Sequence, residues 1–191
     1  MVMAFLLLRP SKEVERPAEP RPTVREALLS ETSRTNGVIH VTGESKPFTG
    51  NLVERYRDGK LKSQTGVSNG LLEGLSLGWF TNGIQQVEEP FRAGKSHGKR
   101  TNWRVDGTKL SEAEIVDGEL HGMFRRWHEN GQLSQQLPMK HGQPDGVSQA
   151  WHPSGKLKAR VVLTNGVVAS QEFFDDREQS NGVAEDAAPA R

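Results

Sequence analysis

The sequence predicts an all-β protein, an elongated antiparallel meander of about five 24-residue β-hairpin repeats with flexible segments at both ends. Three observations predict it. Glycine recurs in three ladders with a 24-residue step: Gly50, Gly74, Gly98, Gly122, Gly146; Gly59, Gly83, Gly107, Gly131, Gly155; and Gly70, Gly94, Gly118, Gly142, Gly166. Every tryptophan, Trp79, Trp103, Trp127 and Trp151, keeps that step, as does the apolar column Val67, Phe91, Ile115, Met139, Leu163. The middle glycine always follows a turn former, in Asp58-Gly59, Asn82-Gly83, Asp106-Gly107, Asn130-Gly131 and Ser154-Gly155. A fixed period over several copies is the mark of a stacked repeat array.

The chain divides into residues 1–36, a flexible N-terminal segment; 37–174, the array; and 175–191, a disordered tail rich in Ala, Glu and Asp. Met1–Leu8 is almost wholly apolar but much shorter than the ~20 residues of a membrane span. Read as the remnant of a secretory signal or an anchor, it would place the chain at or beyond a membrane. It lacks a basic start and a small-residue cleavage site, which favours the cytoplasm. The segment Arg9–Pro22 is charged and Pro-rich, and the only helical signal is Thr23–Ser30. Val38–Val41 reads as a leading strand.

Within a unit, about six residues precede the middle glycine pair and about eight follow it, lengths that suit strands. Asn-Gly and Asp-Gly predict a two-residue type I′ turn between them. A G-x-x-x-G connection, such as Gly94-Lys95-Ser96-His97-Gly98, then leads into the next unit. Side chains alternate along a strand. The Trp column, Leu61, Leu133, Leu157, Ala113, Leu137, Val161 and the Val67–Leu163 column all carry odd numbers, so one apolar face is expected, opposite an even, polar face. Burying one Trp at ~200 Å² and ~25 cal/mol/Å² contributes at most ~5 kcal/mol, enough for stacked tryptophans to organise a thin sheet. Pro90 and Pro138 are expected at strand ends or on an edge, since proline cannot donate to a ladder. Val167–Phe174 reads as a closing half unit.

Composition narrows the function. Lys plus Arg number 25 against 24 Asp plus Glu, so no excess of positive charge draws nucleic acid. Cysteine is absent, which removes disulfides, thiolate metal sites and a cysteine nucleophile. His97 and His121 share a register, as do His128 and His152, but the repeat itself explains their spacing. Units lie two strand spacings apart, ~9–10 Å, too far for two such histidines to share a metal ligated at ~2.1 Å. No nucleophile elbow, P-loop or dinucleotide fingerprint occurs. No catalytic residue, cofactor, metal or small-molecule substrate is therefore expected.

The column Tyr56, Phe80, Arg104, His128, His152 keeps the 24-residue step and is expected on the even face, opposite the Trp column. Planar and cationic side chains are enriched at interface hot spots, so this column, flanked by Arg100 and Arg126, is the candidate stripe for a protein partner. The alternative is an ordinary ladder stabilised by its cross-strand neighbours. Trp79, Trp103, Trp127, Trp151 and Gly59, Gly83, Gly107, Gly131, Gly155 are expected to be structural.

The unit, seen in Tyr56-Arg57-Asp58-Gly59-Lys60-Leu61, Trp127-His128-Glu129-Asn130-Gly131-Gln132-Leu133 and Trp151-His152-Pro153-Ser154-Gly155-Lys156-Leu157, resembles the MORN repeat. It resembles in particular the variant form found in bacterial proteins of the YwqK antitoxin-like family. The resemblance covers about residues 37–174 and implies a scaffold. Its family name implies a toxin as protein partner, and MORN proteins elsewhere imply a membrane surface or envelope as the alternative.

Overall fold

The computed structural model describes residues 24–176, so the Met1–Leu8 run and the tail from 177 lie outside the described residues. The strands are β1 (Glu26–Leu28), β2 (Thr32–Thr35), β3 (Val38–Val41), β4 (Gly50–Arg55), β5 (Leu61–Ser68), β6 (Leu71–Trp79), β7 (Gln85–Arg92) and β8 (Lys95–Ser96). They continue as β9 (Gly98–Trp103), β10 (Lys109–Val116), β11 (Glu119–Leu120), β12 (Gly122–Trp127), β13 (Leu133–Lys140), β14 (Gln143–Pro144), β15 (Gly146–Trp151), β16 (Leu157–Thr164) and β17 (Val167–Phe173). One 15-stranded sheet runs in chain order from β4 to β17, with β1 added parallel to β4 and the short β8, β11 and β14 folding back on β7, β10 and β13. β2 and β3 form a separate pair. The fold is the all-β hairpin meander that the period predicts.

Residues 24–36, placed by sequence in the flexible segment, are ordered here, and the helical signal at Thr23–Ser30 becomes β1 and a 3-10 turn, Leu29–Glu31. Tertiary packing overrides the weak local propensity. Ala27, Ile39, Phe48, Leu52 and Val67 form the one continuous buried cluster among the described residues, with Val41 and Leu72 against it, and Phe48 is completely buried. This plug closes the N-terminal end of the sheet. Beyond it the sheet is a single layer. Among the described residues only ten apolar side chains are buried, and four of them, Ala113, Ile115, Met139 and Ala159, lie in the array past the plug.

The turns correct the expected type. At the middle glycine column the chain makes a three-residue loop. Gly107 N donates to Arg104 O at 2.9 Å and Arg104 N to Thr108 O at 2.8 Å, with Gly107 at φ +86°. Asp106 stays at negative φ, and its carboxylate accepts the Thr108 N–H at 2.8 Å. That is a type I turn closed by a glycine bulge, with the turn former used for an Asx hydrogen bond. The primed turns sit instead at the third glycine column, where Asn69, Ala93, Asp117, His141 and Asn165 take positive φ before Gly70, Gly94, Gly118, Gly142 and Gly166.

The bulge also divides the apolar residues between two faces. Gly98 pairs with Ile115, Arg100 with Ala113 and Asn102 with Ser111, and then the register shifts so that Trp103 meets Lys109. Odd residues of the first strand therefore share a face with even residues of the second until the extra residue restores parity. The Trp column stands opposite the Leu61, Leu133, Leu157 register, since Trp127 pairs with Leu133 and Trp151 with Leu157. The Val67–Leu163 column, Ala113, Leu137 and Val161 occupy the other face. The single apolar face expected from odd numbering does not form, and the four tryptophans are half-buried, each separated from the next by a second-strand residue. Pro90 and Pro138 lie inside β7 and β13, not at their ends. The ladder to the next unit is interrupted there by a bulge, so no donor is missed.

Candidate partner-binding surface

Two ladders of contacts run along the sheet margins. At the three-residue turns, a side chain of each unit reaches a carbonyl of the next. Tyr56 Oη donates to Trp79 O at 2.7 Å, and Arg104 Nη2 donates to Trp127 O. His128 Nε2 lies 2.9 Å from Trp151 O, and His152 Nε2 lies 3.1 Å from Phe174 O. A carbonyl only accepts, so both imidazoles carry their proton on Nε2. Asn82 and Asn130 add bonds to Val105 O at 2.9 Å and Pro153 O at 2.7 Å. At the primed turns the left-handed residue's N–H meets a side chain twenty residues earlier: Asn69 on Thr49, Ala93 on Glu73 and Asp117 on His97. The shared register of His97 and His121 belongs to this margin.

The column Tyr56, Phe80, Arg104, His128, His152 thus sits at turn starts, half-buried, rather than on an open strand face. Four of its members hold the next unit's backbone, and Phe80 bonds through its backbone, its N–H donating to Ile84 O at 2.8 Å and its carbonyl accepting from Gly83 N at 2.9 Å. Arg100 is drawn to Glu89 at 3.3 Å on the face of the Val67–Leu163 column. Arg126 is exposed, and its side chain makes no hydrogen bond or ion pair among the described residues.

Of the predicted residues, the structure brings Arg104, Arg126 and His128 together around one open groove of roughly 790 Å³. Trp127, Glu129, Ser134, Gln135, Ala150 and Pro153 complete much of its lining. Ser134 is the extra residue of the β13 bulge, and the alternation argument overlooked it because the bulge is not written in the glycine spacing. Behind the groove, Lys109 Nζ lies 5.1 Å from the centre of the Trp127 ring and 2.6 Å from Glu112. The Lys109 ammonium holds the Glu112 carboxyl below the usual carboxylate range. The charge on that side of Trp127 is therefore already neutralised, whereas Arg126 remains available.

The described chain is thus a single-layer sheet of hairpin repeats, stitched along both margins and carrying an open groove. Residues 120–141 and 144–162 match the family described as MORN repeat variant, which supports a MORN-repeat protein. No curated protein matches the chain. Among solved structures, a crystal structure of an S. aureus TarM mutant in complex with Fondaparinux, alpha-GlcNAc-glycerol and UDP is similar at 15% identity with a TM-score of 0.34. The match covers 50% of this chain and 19% of that one, so the chain spans about a fifth of its length.

Proposed function

We propose that the chain is a non-catalytic interaction scaffold that docks a protein partner at the Arg126–Trp127 groove, in the manner of an antitoxin masking a toxin. MORN repeats generally serve as protein- or membrane-interaction scaffolds. The observation that carries the reading is Arg126, whose guanidinium is unpaired among the described residues and lines the wall of an open groove beside a half-buried tryptophan. Arg and Trp are the residues most enriched at binding hot spots, and a planar guanidinium selects a carboxylate on the partner. Catalysis is disfavoured by how the groove's other donors are used. Arg104 and His128 are spent on backbone carbonyls, so the His128 Nε2 proton is not free for acid–base work. The groove is open, unlike the enclosing clefts that hold small substrates.

The test is co-expression with the product of a neighbouring gene that is toxic alone. Rescue of growth by the wild type, lost with Arg126→Glu while the circular dichroism is unchanged, is the expected result. Rescue that survives Arg126→Glu removes the groove from the proposal, and absence of any rescue removes the antitoxin role. Sedimentation with anionic vesicles would instead favour a membrane surface, against the net charge of only +1.

A further inference from the structure

The described chain ends at the rim of the groove. Past β17, Phe174 O lies 3.1 Å from His152 Nε2. The Ser154 hydroxyl donates to Asp176 Oδ1 at 2.6 Å, and Lys156 Nζ donates to Asp176 O at 2.6 Å. These bonds repeat, for the last unit, the contact that an earlier turn makes to the unit after it, such as Asn130 to Pro153 O. They fix Asp176 beside Ser154, which follows the groove residue Pro153 in the chain. Residues 177–191, outside the described residues, therefore start next to the groove wall.

We propose that the segment after Asp176 folds back over the groove and sets the carboxylates of Glu185 and Asp186 on Arg126. Reach selects those two. Arg126 is on β12, and the chain departs from the end of β17, four places further along the sheet, about 19 Å away at ~4.8 Å per strand. Glu185 is nine residues past Asp176 and spans up to about 30 Å at ~3.3 Å per residue, whereas Glu178, two residues past, spans only about 7 Å. Charge agrees with reach. No Lys or Arg occurs from Glu178 to Ala190. The groove lining carries two guanidiniums, Arg104 and Arg126, against one carboxylate, Glu129. Arg104 is spent on Trp127 O, so Arg126 is the one left to take a carboxylate, which a planar guanidinium binds through two parallel hydrogen bonds. Size agrees as well. Ala184 and Ala187 flank the two carboxylates, and Ala150, Ser134 and Pro153 wall the groove, so neither side brings bulk. A tether this short holds the segment at a local concentration on the order of mM, so a contact with a free Kd near ~1 mM keeps the groove filled about half the time. The docked segment shields Arg126 and competes with any partner for it, which gives the groove a reversible cover belonging to the same chain. The proposal goes beyond the partner reading and needs no partner to be tested.

The chain has no cysteine, so Ala188→Cys supplies a single site for a nitroxide label on the full chain. Amide NMR of the nitrogen-15 protein at low salt then reads where the label sits. The label is expected to broaden the amides of Arg126, Ser134, Gln135 and Ala150 and to spare those of β4 and β5. Glu185→Lys with Asp186→Lys keeps the tether and reverses its charge, and the broadening is expected to be lost. It is also expected to be lost at about 1 M salt, where the screening length falls to ~3 Å. Arg126→Glu loses it too, and combining Arg126→Glu with the two tail substitutions restores it. Groove amides that the label leaves unchanged, or broadening as strong after the tail charge reversal as before it, would overturn the proposal. So would broadening in a mixture of the nitroxide-labelled chain without nitrogen-15 and the nitrogen-15 chain without nitroxide, because the segment in the groove would then come from a second copy.

Discussion

Gly98 opens β9 at φ +120°, and a Cβ placed there would lie 2.7 Å from Pro90 Cγ and 3.6 Å from Pro90 Cβ. Carbon atoms rest at ~3.5–4.0 Å, so Gly98→Ala forces an overlap of about 1 Å. The Pro90 ring sits in the interior of β7 and has no rotamer to escape into. Two costs add. A side chain at this φ costs about 1–3 kcal/mol of backbone strain, and the overlap costs about 1–3 kcal/mol as overpacking, so Gly98→Ala is expected to lose about 2–6 kcal/mol. Gly118 supplies the control. It has φ +92° with no atom within 4 Å of its added Cβ, so Gly118→Ala carries the strain alone, about 1–3 kcal/mol. Adding Pro90→Ala to Gly98→Ala removes the clashing carbon, and the double-mutant cycle is expected to return about 1–3 kcal/mol of coupling. Repeat arrays need not unfold as one unit. The assay is therefore amide hydrogen exchange across β7 and β9, alongside thermal melting, where each kcal/mol moves Tm by about 2–4 °C for a chain of this size. Equal losses for Gly98→Ala and Gly118→Ala, with no coupling to Pro90, would refute the close approach as the reason for glycine at this column.

Tyr56→Phe deletes only the hydroxyl that donates to Trp79 O at 2.7 Å. It is expected to cost about 1 kcal/mol and to raise exchange at the junction of the first two units, whereas a change below about 0.3 kcal/mol would show that the margin ladder does not stabilise the array. The backbone N–H and hydroxyl of Thr108 hold the Asp106 carboxyl below its ordinary value. Its folded value is the lower one, so its stabilisation of the turn is complete above the unfolded value near ~3.9 and is lost as pH falls through the folded value. Carbon-13 NMR is expected to place the Asp106 midpoint below ~3.9, and a midpoint at or above that value would remove the Asx bond from the account of the turn.

How much was legible in the residues depends on the kind of information each feature uses. The 24-residue register, the strand–turn–strand unit and the capped N-terminal strand at Val38–Val41 were open to sequence reading, because glycine and Asn/Asp report backbone geometry locally. The turn type was not. Asp106-Gly107 serves a two-residue primed turn and a three-residue type I turn with a glycine bulge equally well, and the choice shifts parity by one residue along the whole second strand. That single residue moved Ile115 and Ala113 to the face away from Trp103 and split an expected apolar face in two. Ala93 and His141, which carry positive φ, give no turn signal of their own. The Ala93 N–H is satisfied by Glu73, a neighbour only after the repeats stack. The same is true of the groove, where Arg126 was named from its charge, but its freedom follows from which neighbours Arg104 and Arg100 took first.

The sequence by itself determined the period, the hairpin unit and the all-β class, since these follow from the local conformational limits of glycine and turn residues repeated at a constant interval. Only the tertiary structure decided the register across each bulge, the face on which each apolar column lies and the sealing of one end by Phe48. Those features depend on hydrogen bonds and contacts between units, and an interaction between residues twenty or more positions apart leaves no mark in the local pattern of either one.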